Sequence, residues 1–260
     1  MARQAAFFDL DKTIIAKSST LAFTGKLRKA GLLGRRTLMR TALSQTFYVL
    51  FGADHDQLER TRQMLLTLTK GWDREEIEQI VEETLEDVVS PLVYAEALFL
   101  IDEHLREGRR VFIVSASPEE VVRPLARYIG VEDIVATRAR VDEQGRYTGE
   151  VELYAYGAVK ADEIRRLAGE EGLDLAGSYA YSDSATDLPM LEAVGHPVAV
   201  NPDKDLRDAA EERGWPVLEF KRQVGLGDRL VRPVPLISGA TLMLGVGAVA
   251  AWILTRHKRS

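Results

Sequence analysis

The run Ala5-Ala6-Phe7-Phe8-Asp9-Leu10-Asp11-Lys12-Thr13 constrains this chain more than any other stretch. Residues 4–10 are apolar enough to read as a buried strand, and the stretch ends in two carboxylates two positions apart. Alternate side chains of a strand point to one face, so Asp9 and Asp11 project the same way. Carboxylates held that close resist ionising together unless a cation or a shared proton is present. The pair marks a candidate active site, and its partners must come from elsewhere in the chain.

Length and composition bound the answer. The 260 residues suffice for one substantial core or two linked domains. There is no cysteine, which excludes disulfides, thiolate metal sites and cysteine nucleophiles. His55, His104, His196 and His257 form no close pair, so a histidine-rich zinc site is not expected. A formal net charge of -6 argues against nucleic acid as a partner.

After the first strand, apolar residues recur at helical spacing over 19–30, 35–51, 55–69, 73–88 and 91–107. Asp73 with Glu76 makes a capping box. From Arg110 the pattern changes. Strands are expected over 110–114, 134–137, 177–182 and 197–200, and a hairpin over 138–151. Helices are expected from Pro118 to Ile129, from Lys160 to about Glu170, and from Asp187 to Val194. Strands alternating with helices predict a mostly parallel α/β core, in which ligands sit at the carboxyl ends of strands. Asp9, Ser115 and Asp183 each follow a strand at that edge.

The C-terminal stretch from Pro233 to Thr255 has no charged residue. About 21 helical residues reach about 31 Å, the thickness of a bilayer core. Arg229 and Arg232 flank one end, Arg256 to Arg259 the other, with Trp252 near that interface. The expectation is a single-pass anchor in the cell membrane. No signal sequence is read at the N-terminus, because Asp9 and Asp11 interrupt the only early apolar run. The catalytic part is therefore expected to face the cytoplasm. Residues 12–53 hold eight Lys or Arg and no Asp or Glu. That basic stretch is read either as a solvated face or as a surface for anionic lipid headgroups.

Four motifs in order resemble those of the haloacid-dehalogenase-like (HAD) hydrolases. They are Asp9-Leu10-Asp11-Lys12-Thr13, Ser115 ending VFIV, Lys160 in GAVKADEI, and Ser182 to Leu191 around Asp183 and Asp187. The resemblance covers roughly residues 5–220. The helical stretch between the first two motifs is similar to the cap of the phosphoserine-phosphatase-like subgroup. The fold class so implied is α/β. It has a Rossmann-like three-layer core with a mostly parallel sheet, a helical-bundle cap inserted after the first strand, and the C-terminal transmembrane helix. The expected division is 1–17 with 108–220 for the core, 18–107 for the cap, 221–232 for a basic linker, 233–255 for the span and 256–260 for a basic tail.

The resemblance assigns roles that the chemistry of the residues supports. Asp9 would attack phosphorus, and Asp11 would protonate the leaving alcohol and then activate water. Asp9 and Asp183, with the Asp11 main-chain carbonyl that the family uses, make a hard oxygen site suited to Mg²⁺. Ser115 would donate to a phosphoryl oxygen, and Lys160 would pair with Asp9 and neutralise developing charge. Asp187 would support the metal shell or Lys160. Thr13 and Ser117 are candidates for phosphate or substrate contact.

Two departures bear on substrate. The fourth motif carries Tyr181-Ser182-Asp183-Ser184 where the family usually has glycine. The subgroup's phosphoserine phosphatases carry a glutamate nine residues after the nucleophile, and Ser18 stands there. An ammonium group on the substrate loses its counter-charge. Arg60 and Arg62 are both candidates for the arginine of the family's cap. The expected activity is Mg²⁺-dependent hydrolysis of a phosphomonoester, either small and soluble or lipid-like. The alternatives are phosphotransfer through the same aspartyl-phosphate and a non-catalytic, membrane-tethered regulatory protein.

Overall fold

The computed structural model describes residues 3–19, 22, 23, 25, 67 and 69–223. Its centre is strand β1 (Ala5–Phe8). Every residue of β1 is fully buried, because the strand has a packed layer on each side. Ala6 and Phe8 face one hydrophobic cluster, and Ala5 and Phe7 face the other. That two-sided burial explains why the segment is apolar throughout rather than alternating.

The other strands are β2 (Arg110–Pro118), β3 (Asp133–Val141), β4 (Tyr147–Leu153), β5 (Tyr179–Ser182), β6 (His196–Val200) and β7 (Val217–Leu218). Their order in the sheet is β4-β3-β2-β1-β5-β6-β7. All neighbours are parallel except the β3–β4 hairpin. Phe8 is level with Ile113 of β2 and Tyr181 of β5. Asp9 and Asp183, just past the ends of β1 and β5, therefore lie beside Ser115 of β2.

Helices α1 (Arg74–Val88), α2 (Ala95–Arg106) and α3 (Glu119–Tyr128) cover one face. They contribute Val81, Leu85, Ile101, Val122 and Leu125 to the cluster around Phe8. Helices α4 (Ala158–Glu171), α5 (Leu188–Glu192) and α6 (Lys204–Arg213) cover the other. Ile164, Met190, Leu191 and Leu206 come from these. The result is a three-layer α/β arrangement. Asp73 caps α1, accepting from the N–H groups of Glu75 and Glu76, as the capping pattern predicts.

The helix α1 belongs to the stretch expected to form the cap, and it is tied to the hairpin. Gly71 N–H donates to the Tyr147 carbonyl (2.8 Å), and Tyr147 N–H donates to the Trp72 carbonyl (3.0 Å). Arg74 lies 3.4 Å from the buried Glu120 of α3. Most of the helices expected over 19–30, 35–51 and 55–69, and with them Arg60 and Arg62, lie outside the described residues.

The expectation of a membrane anchor is corrected. Among the described residues no helix is long and apolar enough to cross a membrane. The 15-residue α1 reaches about 22 Å, and only one face of it is buried. The stretch 233–255 lies outside the described residues. The start of the expected linker packs on the core instead: Ala95 N–H donates to the Arg222 carbonyl (2.8 Å), and Arg222 N–H donates to Glu96 (3.1 Å). The fold class is thus an α/β core with a mixed sheet and a helical cap, and among the described residues there is no transmembrane helix. The membrane partner, the single-pass location in the cell membrane and lipid contact by the basic stretch rested on that helix and are withdrawn with it.

Behind the strand ends lies an aromatic layer. Phe8 stacks on Tyr181, with ring centroids 4.3 Å apart and planes 9° apart. The Tyr181 hydroxyl meets His104 Nε2 at 2.8 Å, and Arg109 Nη1 lies 3.1 Å from His104 Nδ1. Arginine only donates, so Nδ1 accepts and the ring proton sits on Nε2. Burial, with Arg109 adding, lowers the imidazole from 6.5 to about 3. Between those values the unfolded chain binds the extra proton and the folded chain does not. The stabilising contribution is complete above pH 6.5 and is lost as pH falls, by up to about 1.4 kcal/mol per pH unit. Urea unfolding of wild type and His104→Gln between pH 7 and 5 should give a steeper loss of stability in the wild type. Parallel slopes would contradict the assignment.

Candidate active site

The site assembles where β1, β2 and β5 end. Lys160 reaches it from α4. Gly157, at φ 58° and ψ -127°, turns the chain into that helix, a conformation that suits a residue without Cβ. Lys160 then falls on the inward face one turn later and is buried. Its Nζ donates to Asp9 Oδ1 at 2.6 Å and to Asp187 Oδ2 at 2.8 Å. Burial alone would lower the ammonium's pKa, but the Asp9 and Asp187 carboxylates more than offset it, so Lys160 stays charged.

Asp9 is also buried, and its N–H donates to the Tyr181 carbonyl (2.9 Å). Burial pushes its carboxyl up, Lys160 pulls it down, and Asp187, Asp183 and Asp11 push it up again. Asp183 is raised to about 7, by burial first, then by Asp187 and Asp203, against Lys12. Lys12 adopts φ 61°, and its exposed Nζ lies 3.8 Å from Asp183 Oδ2. Burial raises Asp11 too, opposed by hydrogen bonds from Ser19 and Ser117. Among the described residues, four carboxyl groups thus face two ammonium groups.

The remaining residues singled out in the sequence gather around these. Ser115 is buried, and its Oγ accepts the Ser117 N–H at 3.1 Å, which leaves its proton to be donated. Thr13 is buried, and its Oγ1 has no hydrogen-bond partner among the described residues. A buried hydroxyl without a partner costs free energy unless a ligand or water supplies one. Ser117 donates to Asp11 Oδ2 (3.2 Å). Ser18 directly precedes Ser19, and its carbonyl accepts the Ala22 N–H (3.1 Å).

Sequence reasoning missed three contributors. Ser182 stands where the family usually has glycine, and its Oγ donates to Asp187 Oδ2 (2.7 Å). Asp203 orders the fourth-motif loop, accepting the Ala185 N–H (3.0 Å) and giving its own N–H to the Asp183 carbonyl (2.7 Å). Ser19 donates its N–H to Asp11 Oδ1 (2.8 Å). Only the departure from glycine at Ser182 carried a signal in the sequence.

The pattern of the haloacid dehalogenase-like hydrolases matches residues 6–192, a span that holds all four motifs and this cluster. The chain belongs to that family. HAD relatives extend over nearly all of it. One named as a probable phosphatase of Mycobacterium tuberculosis is 54% identical over 254 residues, 98% of this chain and 88% of the relative. A phosphoserine phosphatase of the same species is 33% identical over 259 residues, 98% of this chain and 82% of its own. A Bordetella pertussis protein of unknown function has a solved structure that superposes with a TM-score of 0.74 at 31% identity, covering 84% of this chain and 99% of that one. This HAD chain is a phosphatase, a phosphomonoester hydrolase of the aspartyl-phosphate type.

The Lys160 bridge sets a stability expectation. Replacing Lys160 with Met leaves Asp9 and Asp187 buried without their cation, which costs about 3–5 kcal/mol. Chemical denaturation at pH 7 without divalent metal should show that loss. A variant as stable as the wild type would mean that the ammonium is not what balances the two carboxylates.

Proposed function

We propose that this phosphatase hydrolyses a small phosphomonoester with Mg²⁺, Asp9 acting as nucleophile and Asp11 as acid and base. The buried Lys160 bridging Asp9 and Asp187 at the strand ends is the observation that carries the reading. It aims Asp9 and draws its carboxyl toward the ionised form that a nucleophile needs, against burial and the neighbouring acids, which push it up. Asp9 attacks phosphorus, the bond to the leaving oxygen breaks, and Asp11 gives its proton to that oxygen. Water then attacks the aspartyl-phosphate, losing a proton to Asp11, and the bond from phosphorus to Asp9 breaks. Phosphate departs, and both carboxyl groups return to their starting states. Ser115, Thr13 and Lys160 bind the phosphoryl oxygens in this scheme.

HAD catalysis typically requires Mg²⁺. Among the described residues no three acidic or histidine side chains gather into a metal cluster. The donor set at hand is smaller, with the Asp9 and Asp183 carboxylates and the Asp11 carbonyl. It fits an ion that is held by one or two carboxylates and otherwise keeps water and phosphate oxygens. The excess of carboxylates over ammonium groups favours a dication there. Bound, it would offset the repulsion between Asp9 and an anionic substrate. Asp187, held by Lys160 and Ser182, acts as support.

A phosphoserine phosphatase relative makes phosphoserine an obvious candidate substrate. Ser18 argues against a strict preference, because a hydroxyl cannot neutralise an ammonium group as the glutamate does. A panel of phosphoserine, sugar phosphates, nucleotides and amino-alcohol phosphates, assayed with Mg²⁺, tests the reading. Turnover of at least one ester should vanish on chelation and return with Mg²⁺. Asp9→Asn should lower kcat by at least about a thousandfold. Phosphoserine as the sole ester cleaved would refute the argument from Ser18, and an active Asp9→Asn would refute the nucleophile.

A further inference from the structure

Asp11 lies between segments that are distant in sequence. On one side Ser19 gives its N–H to Oδ1 at 2.8 Å. On the other, the Ser117 hydroxyl donates to Oδ2 at 3.2 Å. The two serine hydroxyls are 2.8 Å apart, and both residues are buried. The Ser19 hydroxyl can donate to Ser117 Oγ while the Ser117 proton goes to Asp11.

We propose that Ser117 is a positioning residue for Asp11, with the Ser19 hydroxyl orienting it, and that together they fix the orientation of the Asp11 carboxyl group. The inference rests on the proposed role of Asp11 as acid and base. A main-chain N–H only donates, so Oδ1, which faces one, remains an acceptor. The Ser19 N–H on Oδ1 and the Ser117 hydroxyl on Oδ2 hold the two oxygens from opposite sides, so the carboxyl keeps one orientation through both halves of the reaction. The second strand thus gives one serine to each task. Ser115 serves the phosphoryl group, and Ser117, whose N–H donates to the Ser115 hydroxyl at 3.1 Å, serves the acid.

The test exploits leaving groups. Nitrophenolate departs as a stable anion and needs little help from an acid, whereas an alkoxide needs the proton. We would measure kcat/KM with p-nitrophenyl phosphate and β-glycerol phosphate for wild type, Ser117→Ala, Ser19→Ala and Asp11→Asn, with thermal melting as a check on folding. Ser117→Ala should lower kcat/KM about tenfold more on the alkyl ester than on the aryl ester. Ser19→Ala should do the same to a smaller degree, and Asp11→Asn to a larger one. A merely destabilised or misfolded variant loses both activities equally. Equal losses, or none, for Ser117→Ala alongside a selective loss for Asp11→Asn would overturn the positioning role alone. No selectivity for Asp11→Asn would overturn the acid role and this inference with it.

Discussion

A single buried ammonium holds the centre of this protein together. Lys160 is almost inaccessible, and such a charge survives away from water only with close counter-charges. Asp9 and Asp187 provide them at 2.6 and 2.8 Å. The three groups come from the end of β1, the first turns of α4 and the loop after β5. Bringing them together requires β1 and β5 to be neighbours and α4 to pack beneath that pair. The sheet order meets the first condition, and Ile164 and Ala168 in the cluster around Phe7 meet the second. The hydrophobic layers and the ionic centre are thus mutually dependent. Apolar burial supplies the stability that makes a buried triad affordable, and the triad specifies how the layers register.

Around that centre the molecule restrains acids chiefly with neutral donors. Ser182 holds Asp187, Ser19 and Ser117 hold Asp11, and Asp203 ties down the loop that carries Asp183. Hydroxyls and amides orient a carboxylate without cancelling its charge. Burial raises Asp9, Asp11 and Asp183, so a cation arriving at the strand ends would draw these acids toward their charged forms. More lysines in the same places would hold the same shape and quench the chemistry.

The strand ends were legible in the sequence because two-sided burial leaves an unmistakable apolar run, and because Asp9, Ser115 and Asp183 each follow one. The structure brings these residues together with Lys160 and Asp187; their chemical roles stand as proposals. The reading failed where a residue's meaning depends on a distant neighbour. Family likeness drew attention to Ser18, yet the adjacent Ser19 meets Asp11, a contact set by three-dimensional packing that no spacing rule encodes. Strand β2 runs to Pro118 rather than stopping at Ser115, through a register shift against β3. Helix α6 and strand β7 were not anticipated, because α6 is strongly polar and β7 has only two residues. The C-terminal apolar run was read as a bilayer span on its length, its hydropathy and the basic and aromatic residues that flank it, all properties of composition rather than of tertiary contact.

The pairing of residues 71–74 with the hairpin has a consequence for how the protein comes apart. Tyr147 uses both of its main-chain groups on this segment, Gly145 accepts the Arg74 N–H, and Arg74 approaches Glu120 on α3. Although α1 lies in the part of the chain inserted between the first two strands, its opening turn is bonded like an extension of the sheet. Local opening that separates α1 from the hairpin must break this ladder and expose Ile77, Val81 and Leu85 together. Helix and hairpin are therefore expected to open as one cooperative unit, and the boundary between dynamic regions need not coincide with the boundary between domains drawn along the sequence.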